Sequence, residues 1–261
     1  MNGTSTSTSA PLLDLRDIMM QFGGVTALKS ISYGVPPGIV QAVIGPNGAG
    51  KTTLFHCISG LLRPTAGQVV FDGEEISGRS PHAIAELGIS RTFQHVALFK
   101  SMSVLDNVRV GRHPRTHSGF WATGLRFPGM RREERGIAEE ARAYLDFVGL
   151  SDMAHLDAGT LPLGSQKMLE IARALATEPR LILLDEPAGG LNMRETEELG
   201  GLIRRICDNG TTVLLVEHDM NLVMDISDRI LVLHYGRHLA TGTPKEVKNN
   251  PAVIEAYLGE G

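Results

Sequence analysis

Gly45-Pro46-Asn47-Gly48-Ala49-Gly50-Lys51-Thr52 lies between an aliphatic run, residues 39–44, and a helix-forming stretch that closes near Gly60. The octet has the form GxxxxGK[ST] in a strand-to-helix setting. Glycines at 45, 48 and 50 let the backbone curl until successive N–H groups converge on phosphate oxygens, and the N-terminal end of the following helix adds positive potential. Lys51 is then expected to reach the β- and γ-phosphates of a nucleotide. The hydroxyl of Thr52 suits Mg2+, which prefers hard oxygen ligands.

Outward from this loop, short aliphatic runs at 12–15, 39–44, 69–72, 181–185, 212–217 and 229–234 alternate with helical patterns. That alternation predicts an α/β fold whose sheet is largely parallel and flanked by helices. In 181–185 the aliphatic residues lead into Asp185-Glu186-Pro187, so two carboxylates emerge at the C-terminal end of a buried strand, the edge where open α/β sheets bind ligands. Asp185 is a candidate Mg2+ partner, and Glu186 a candidate to orient or deprotonate a water facing the γ-phosphate. Three helices have readable faces: Ile137, Ala141, Tyr144, Leu145 and Val148 share one side, Met168, Ile171, Ala172 and Leu175 mark a helix over 166–177, and Asn192 with Glu195 forms a capping box.

The whole chain carries 25 Lys+Arg against 29 Asp+Glu in 261 residues, a net charge of −4 with the basic residues dispersed. No nucleic-acid partner is expected from that balance. Hydrophobic residues make up 42% but aromatics only 5%, which predicts a folded domain with an aliphatic core. No run approaches the roughly 18 apolar residues of a membrane-spanning helix. The opening MNGTSTSTSA has neither the basic nor the apolar region of a secretory signal, so it reads as a disordered tail over 1–11 of a protein that stays in the cytoplasm. Cys57 and Cys207 lie far apart in apolar or helical contexts and read as reduced core thiols. An irregular stretch spans about 111–130; its His113 and His117 have no flanking metal-ligand partner and read as loop residues.

Together these elements resemble the ATP-binding cassette (ABC) family over roughly 12–259. Gln94 in Arg91-Thr92-Phe93-Gln94-His95 is similar to the family's glutamine loop, and His218 in Val216-Glu217-His218-Asp219 to its switch histidine. The signature, usually LSGGQ, is matched by Leu161-Pro162-Leu163-Gly164-Ser165, and the D-loop by Ala188-Gly189-Gly190-Leu191-Asn192. The resemblance implies a P-loop NTPase cassette with a RecA-like core sheet, an antiparallel β subdomain and a helical signature subdomain at about 95–178. It implies that Gly45, Pro46, Asn47, Gly48, Ala49, Gly50, Lys51, Thr52 and Thr53 hold ATP, with Phe22 stacking on adenine. Gly164 would approach the nucleotide of a partner cassette. Thr52, Gln94 and Asp185 would hold Mg2+, and Glu186, His218, Gln94 and Lys51 would carry hydrolysis.

Pro162 stands where the signature has serine and removes both a hydroxyl and an N–H, one charge-assisted hydrogen bond worth about 1.5–3 kcal/mol. A sandwich with a different cassette that supplies a better signature follows as one expectation, a sandwich of two copies as the other. The segment Asn249-Asn250-Pro251-Ala252-Val253-Ile254-Glu255-Ala256-Tyr257-Leu258-Gly259-Glu260, within a terminal stretch at about 243–259, resembles the end of branched-chain amino-acid importer ATPases, as do Gly23-Gly24 and the insertion at 111–130. That resemblance implies a peripheral subunit on the cytoplasmic face of the inner membrane. Its partners would be two transmembrane permeases and, indirectly, a substrate-binding protein. Phe120, Trp121 and Phe127, read as exposed, are candidates to face a permease or to pin the loop to the core. ATPases of urea or amide importers and of lipopolysaccharide exporters look similar. A soluble cassette protein would call for two cassettes or a long coiled coil, and a small-molecule kinase has no use for the segment 161–175.

Overall fold

A computed structural model describes residues 10–92, 97–112 and 128–258. The chain begins with β1 (Leu13–Phe22), β2 (Val25–Val35), β3 (Val40–Ile44), α1 (Lys51–Ile58), β4 (Ala66–Phe71) and β5 (Glu74–Glu75). It continues through α2 (Pro81–Glu86), β6 (Ile89–Arg91), α3 (Val104–Arg112), α4 (Pro128–Phe147) and α5 (Leu163–Leu175). Then follow β7 (Leu181–Asp185), α6 (Met193–Asp208), β8 (Thr212–Val216), α7 (Met220–Ile226), β9 (Arg229–His234), β10 (Arg237–Gly242), α8 (Pro244–Lys248) and α9 (Pro251–Leu258).

The central sheet has the order β10-β9-β3-β8-β7-β6, parallel throughout except for the antiparallel edge strand β10. Every residue of β3, β7 and β8 is buried, as strands covered on both faces must be, and this is why they read as unbroken aliphatic runs. Alternate side chains feed two cores. Ile182, Leu184, Val213 and Leu215 pack with helices α3 to α6, whereas Leu181, Leu183, Leu214 and Val216 pack with α1 and the second sheet. The one polar side chain inside β3, Gln41, accepts from the Tyr33 hydroxyl at 2.6 Å and donates to the Ala42 carbonyl at 2.8 Å. Its burial therefore leaves no amide group unsatisfied on either side.

The second sheet, β2-β1-β4-β5, is antiparallel. Here the structure corrects the sequence reading, which saw residues 12–15 and 69–72 as strands but not the remainder of β1, nor β2. The pairing of β1 slips register repeatedly, and Asp17 sits in the slip with φ 50°. Its carboxylate accepts from the hydroxyls of Ser30 and Ser32 at 2.9 and 3.0 Å, so a polar knot replaces the strict alternation that marks a strand. Short β6 and edge strand β10 were equally unread.

Two helix limits also shift. α5 starts at Leu163, not 166, because Pro162 presets the extended backbone of the N-cap position and its carbonyl accepts from Gln166 N at 2.9 Å. The irregular stretch at 111–130 is helical at both ends, in α3 up to Arg112 and in α4 from Pro128. His113, His117, Phe120, Trp121 and Phe127 lie outside the described residues, as do residues 1–9 of the expected tail. Within that tail Ala10 and Pro11 are exposed, and Leu12 N then donates to Val35 O. The capping box of Asn192 and Glu195 is formed. Both cysteines are buried, and burial pushes the Cys57 thiol up to about 11, as inert core thiols require. Among the described residues no helix is long and apolar enough to cross a membrane.

Candidate active site

The phosphate loop joins the C-terminal end of β3 to α1. Gly45, Gly48 and Gly50 have φ of 152°, 77° and 101°, and Gly50 is the N-cap of α1, so the helix opens with no side chain between its first N–H groups and the loop's concave face. Asn47, Gly48 and the side of Thr52 are exposed, whereas Lys51 is 6% exposed. Its Nζ donates to the carbonyls of Gly45 at 2.6 Å and Pro46 at 2.9 Å. The ammonium thus sits inside the curl that the sequence assigns to phosphate.

Support for this loop comes from far along the chain. At the β9–β10 turn, Gly236 N donates to Ala49 O at 3.1 Å, and Gly236 O accepts from Lys29 N at 2.7 Å. A Cβ on Gly236, at φ 75°, would overlap the Ala27 carbonyl, and one on Gly45 would overlap that of Leu233. The turn therefore pins the loop to β2. Gly236→Ala is expected to weaken nucleotide binding by about 1–3 kcal/mol, roughly 5- to 150-fold, through strain transmitted to Ala49. Titration with a fluorescent ADP checks this, and unchanged affinity would place the whole cost on the fold.

Asp185 closes β7 one strand from the β3–β8 pair, with its side chain 2% exposed. It does not face solvent alone. Arg91, at the end of neighbouring β6, donates from Nη2 to Asp185 Oδ2 at 2.7 Å and from Nη1 to Ser59 Oγ at 2.9 Å, and its guanidinium lies over the Phe55 ring. Burial and the Arg91 charge together lower the basicity of nearby His56. Arg91 and Ser59 were not singled out from the sequence; the available signal was a charged residue ending a strand beside the glutamine loop. For Mg2+ the donors on this edge, the exposed Thr52 hydroxyl and the Asp185 carboxylate, are hard oxygens of the right kind. Among the described residues no group of three or more His, Cys, Asp or Glu gathers to hold a metal.

Glu186 follows in a left-handed conformation, φ 49°, which costs a non-glycine residue about 1–3 kcal/mol and persists only where its surroundings hold it. Its backbone is held on both sides: Glu186 N donates to Val216 O at 2.9 Å, and Lys167 Nζ of α5 donates to Glu186 O at 3.3 Å and Pro187 O at 2.8 Å. The side chain is brought to His218, with Nε2 and Oε1 separated by 3.0 Å. Parallel pairing of Asp185 with Val216 sets these two ends side by side. Glu217, 4% exposed, accepts from Ala188 N at 2.6 Å on one oxygen and from His218 N at 2.8 Å and Asp219 N at 3.3 Å on the other. Burial lowers the pKa of Lys167, while the carboxylates of Glu217, Glu170 and Glu186 oppose that shift. Glu217 and Lys167 were also missed, although Glu217 lies inside the peptide quoted above and Lys167 inside the helix read over 166–177.

Pro162 is exposed at the head of α5 and provides no side-chain cap. Gly164 is buried against the capping box of α6, where a Cβ would come within 2.7 Å of Glu195 Oε1, so its smallness serves packing within the chain. Phe22 is 47% exposed at the end of β1, available as a stacking face. Gln94 lies outside the described residues.

A family model described as ABC transporter matches residues 28–189, and one described as branched-chain amino acid ATP-binding cassette transporter matches 237–261. Over 253 residues the chain is 47% identical to the high-affinity branched-chain amino acid transport ATP-binding protein BraF of Pseudomonas aeruginosa, covering 97% of this chain and 99% of that one. With LivG of Escherichia coli K12, a protein of the same description, identity is 44% over the same coverage. Among solved structures, a nucleotide-free ATP-binding cassette from an ABC transporter matches with TM-score 0.81 at 32% identity, covering 94% of this chain and 98% of that one. The ADP conformation of an ATP-binding cassette of an ABC transporter gives 0.83 at 32% identity, with coverage of 96% and 100%.

Proposed function

We propose, from the premise that this chain belongs to the ABC transporter family, that it is the ATP-hydrolysing motor subunit of an importer for branched-chain amino acids. The observation that carries hydrolysis is the 3.0 Å contact between Glu186 and His218, at the sheet edge shared with the phosphate loop. The cargo rests on the relatives' full-length likeness and on the match at 237–261.

In this reading the loop N–H groups from Gly45 to Thr53 and the head of α1 bind the phosphates of ATP, and Phe22 stacks on adenine. Lys51 exchanges the carbonyls of Gly45 and Pro46 for phosphate oxygens. Thr52, Asp185 and Gln94 would hold Mg2+, which would supply neutralisation of the phosphate charge. Glu186 orients a water and takes its proton as the water oxygen bonds to the γ-phosphorus and the bond to the bridging oxygen breaks, leaving ADP and phosphate. His218 holds the Glu186 carboxylate through that step.

The domain division follows the same reading: one cassette over 12–259, with a helical signature unit at about 95–178, supported by the packing of α3, α4 and α5 into one core, and a terminal segment at about 243–259. Pro162 supports a sandwich with a different cassette, since this chain's own signature offers no serine hydroxyl. Two permeases would seat the pair on the cytoplasmic face of the inner membrane, with a binding protein outside. Gentle membrane extraction of the tagged chain, followed by mass spectrometry, is expected to recover two permeases, a second cassette and a binding protein that takes leucine, isoleucine or valine. Export partners, a urea-binding protein or no partner would overturn the importer reading.

A further inference from the structure

Glu217 has no part in the chemistry proposed above, yet it is 4% exposed and collects three backbone N–H donors. A buried carboxylate is retained at such a place only if its acceptors are filled, and these three come from two different loops. Ala188 belongs to the segment that follows Glu186; His218 and Asp219 belong to the turn after β8. One side chain thus fastens together the two loops whose tips, Glu186 and His218, meet at 3.0 Å. Lys167 completes the frame from α5 by holding the carbonyls of Glu186 and Pro187, with its charge facing Glu217.

We propose that Glu217 is a positioning residue: its carboxylate bridges Ala188 N to His218 N and thereby sets the Glu186–His218 contact. Its role follows from geometry. The strained backbone of Glu186 has no energetic reason of its own to stay left-handed, and the contact needs His218 fixed relative to that backbone. Glutamine in place of Glu217 is isosteric but presents an NH2 to one set of N–H donors, so one side of the bridge turns from attraction to donor–donor opposition. The two tips are then no longer tied.

The inference rests on the hydrolytic roles given above to Glu186 and His218, and its test separates the two. In the full chain, Glu217→Gln is expected to lower kcat about tenfold or more while affinity for fluorescent ADP stays within about twofold. The ring C–H resonance of His218, identified by its loss in His218→Ala, is expected to move toward its position in Glu186→Ala. A kcat within about twofold of the parent, an unmoved His218 resonance, or equal losses of kcat and ADP affinity would overturn the proposal. Should the glutamine variant fail to fold, Glu217→Asp, which keeps the charge but is one methylene too short to span both loops, carries the same readouts. If instead Glu186→Gln and His218→Ala both hydrolyse ATP normally, the underlying hydrolytic reading fails, whatever Glu217 does.

Discussion

Glu186→Gln is expected to lower ATP turnover by about 10²–10⁴-fold while ATP binding is retained. The amide has the same shape, and its oxygen can still accept from His218 Nε2–H across the 3.0 Å gap, so the loops keep their places. What is lost is the basic oxygen that takes the proton of the attacking water. Binding depends on other groups, the loop N–H donors, Lys51 and the head of α1. Phosphate release measured beside equilibrium ATP binding separates the two quantities. Undiminished hydrolysis would remove Glu186 from the mechanism, and parallel loss of binding would mean that the amide had disturbed the strained turn.

Arg91→Ala carries the largest expected cost in stability, about 3–5 kcal/mol in the nucleotide-free protein. The guanidinium is 9% exposed and Asp185 2%, so its removal strands a carboxylate in the interior, besides leaving the Ser59 hydroxyl without its donor. The cost comes less from losing an attraction than from leaving the partner's charge uncompensated. Accordingly Arg91→Ala combined with Asp185→Ala is expected to be less destabilised than Arg91→Ala alone. Lysine at 91 should recover only part, because one ammonium cannot reproduce a planar fork that reaches Asp185 and Ser59 together. Urea unfolding midpoints of the four proteins test this, and a loss below about 1 kcal/mol for Arg91→Ala would show that water reaches Asp185 readily.

How much of this was legible in the sequence depends on the distance over which each feature is specified. β3, β7, β8 and β9 were readable because strands buried on both faces must be continuously apolar. The phosphate loop, Asp185, Glu186 and His218 were readable because the chemistry needs particular residue types at short spacings. β1 and β2 escaped because the slip at Asp17 breaks their alternation, and the serines that donate to its carboxylate lie on the partner strand. The supporting residues escaped for a related reason. Arg91 meets Asp185 across 94 positions, Glu217 meets Ala188 across 29, and Lys167 meets Pro187 across 20, so no local pattern marks them. The pairing of β6 with β7 and of β7 with β8 brings the first two pairs together, and the packing of α5 against the sheet brings the third.

The two carbonyls that hold Lys51 have a kinetic meaning as well. An ammonium this deeply enclosed would make an emptied loop costly if it had nowhere to go, and product would then leave slowly. Gly45 and Pro46 give it a berth within the loop itself, so in the proposed cycle the loop trades one set of oxygens for another. The affinity gained from the lysine is thereby a difference between two good bonding states, smaller than either one. Such a loop sacrifices grip for recycling time, which suits a subunit whose work lies in repeating a stroke and not in retaining its fuel.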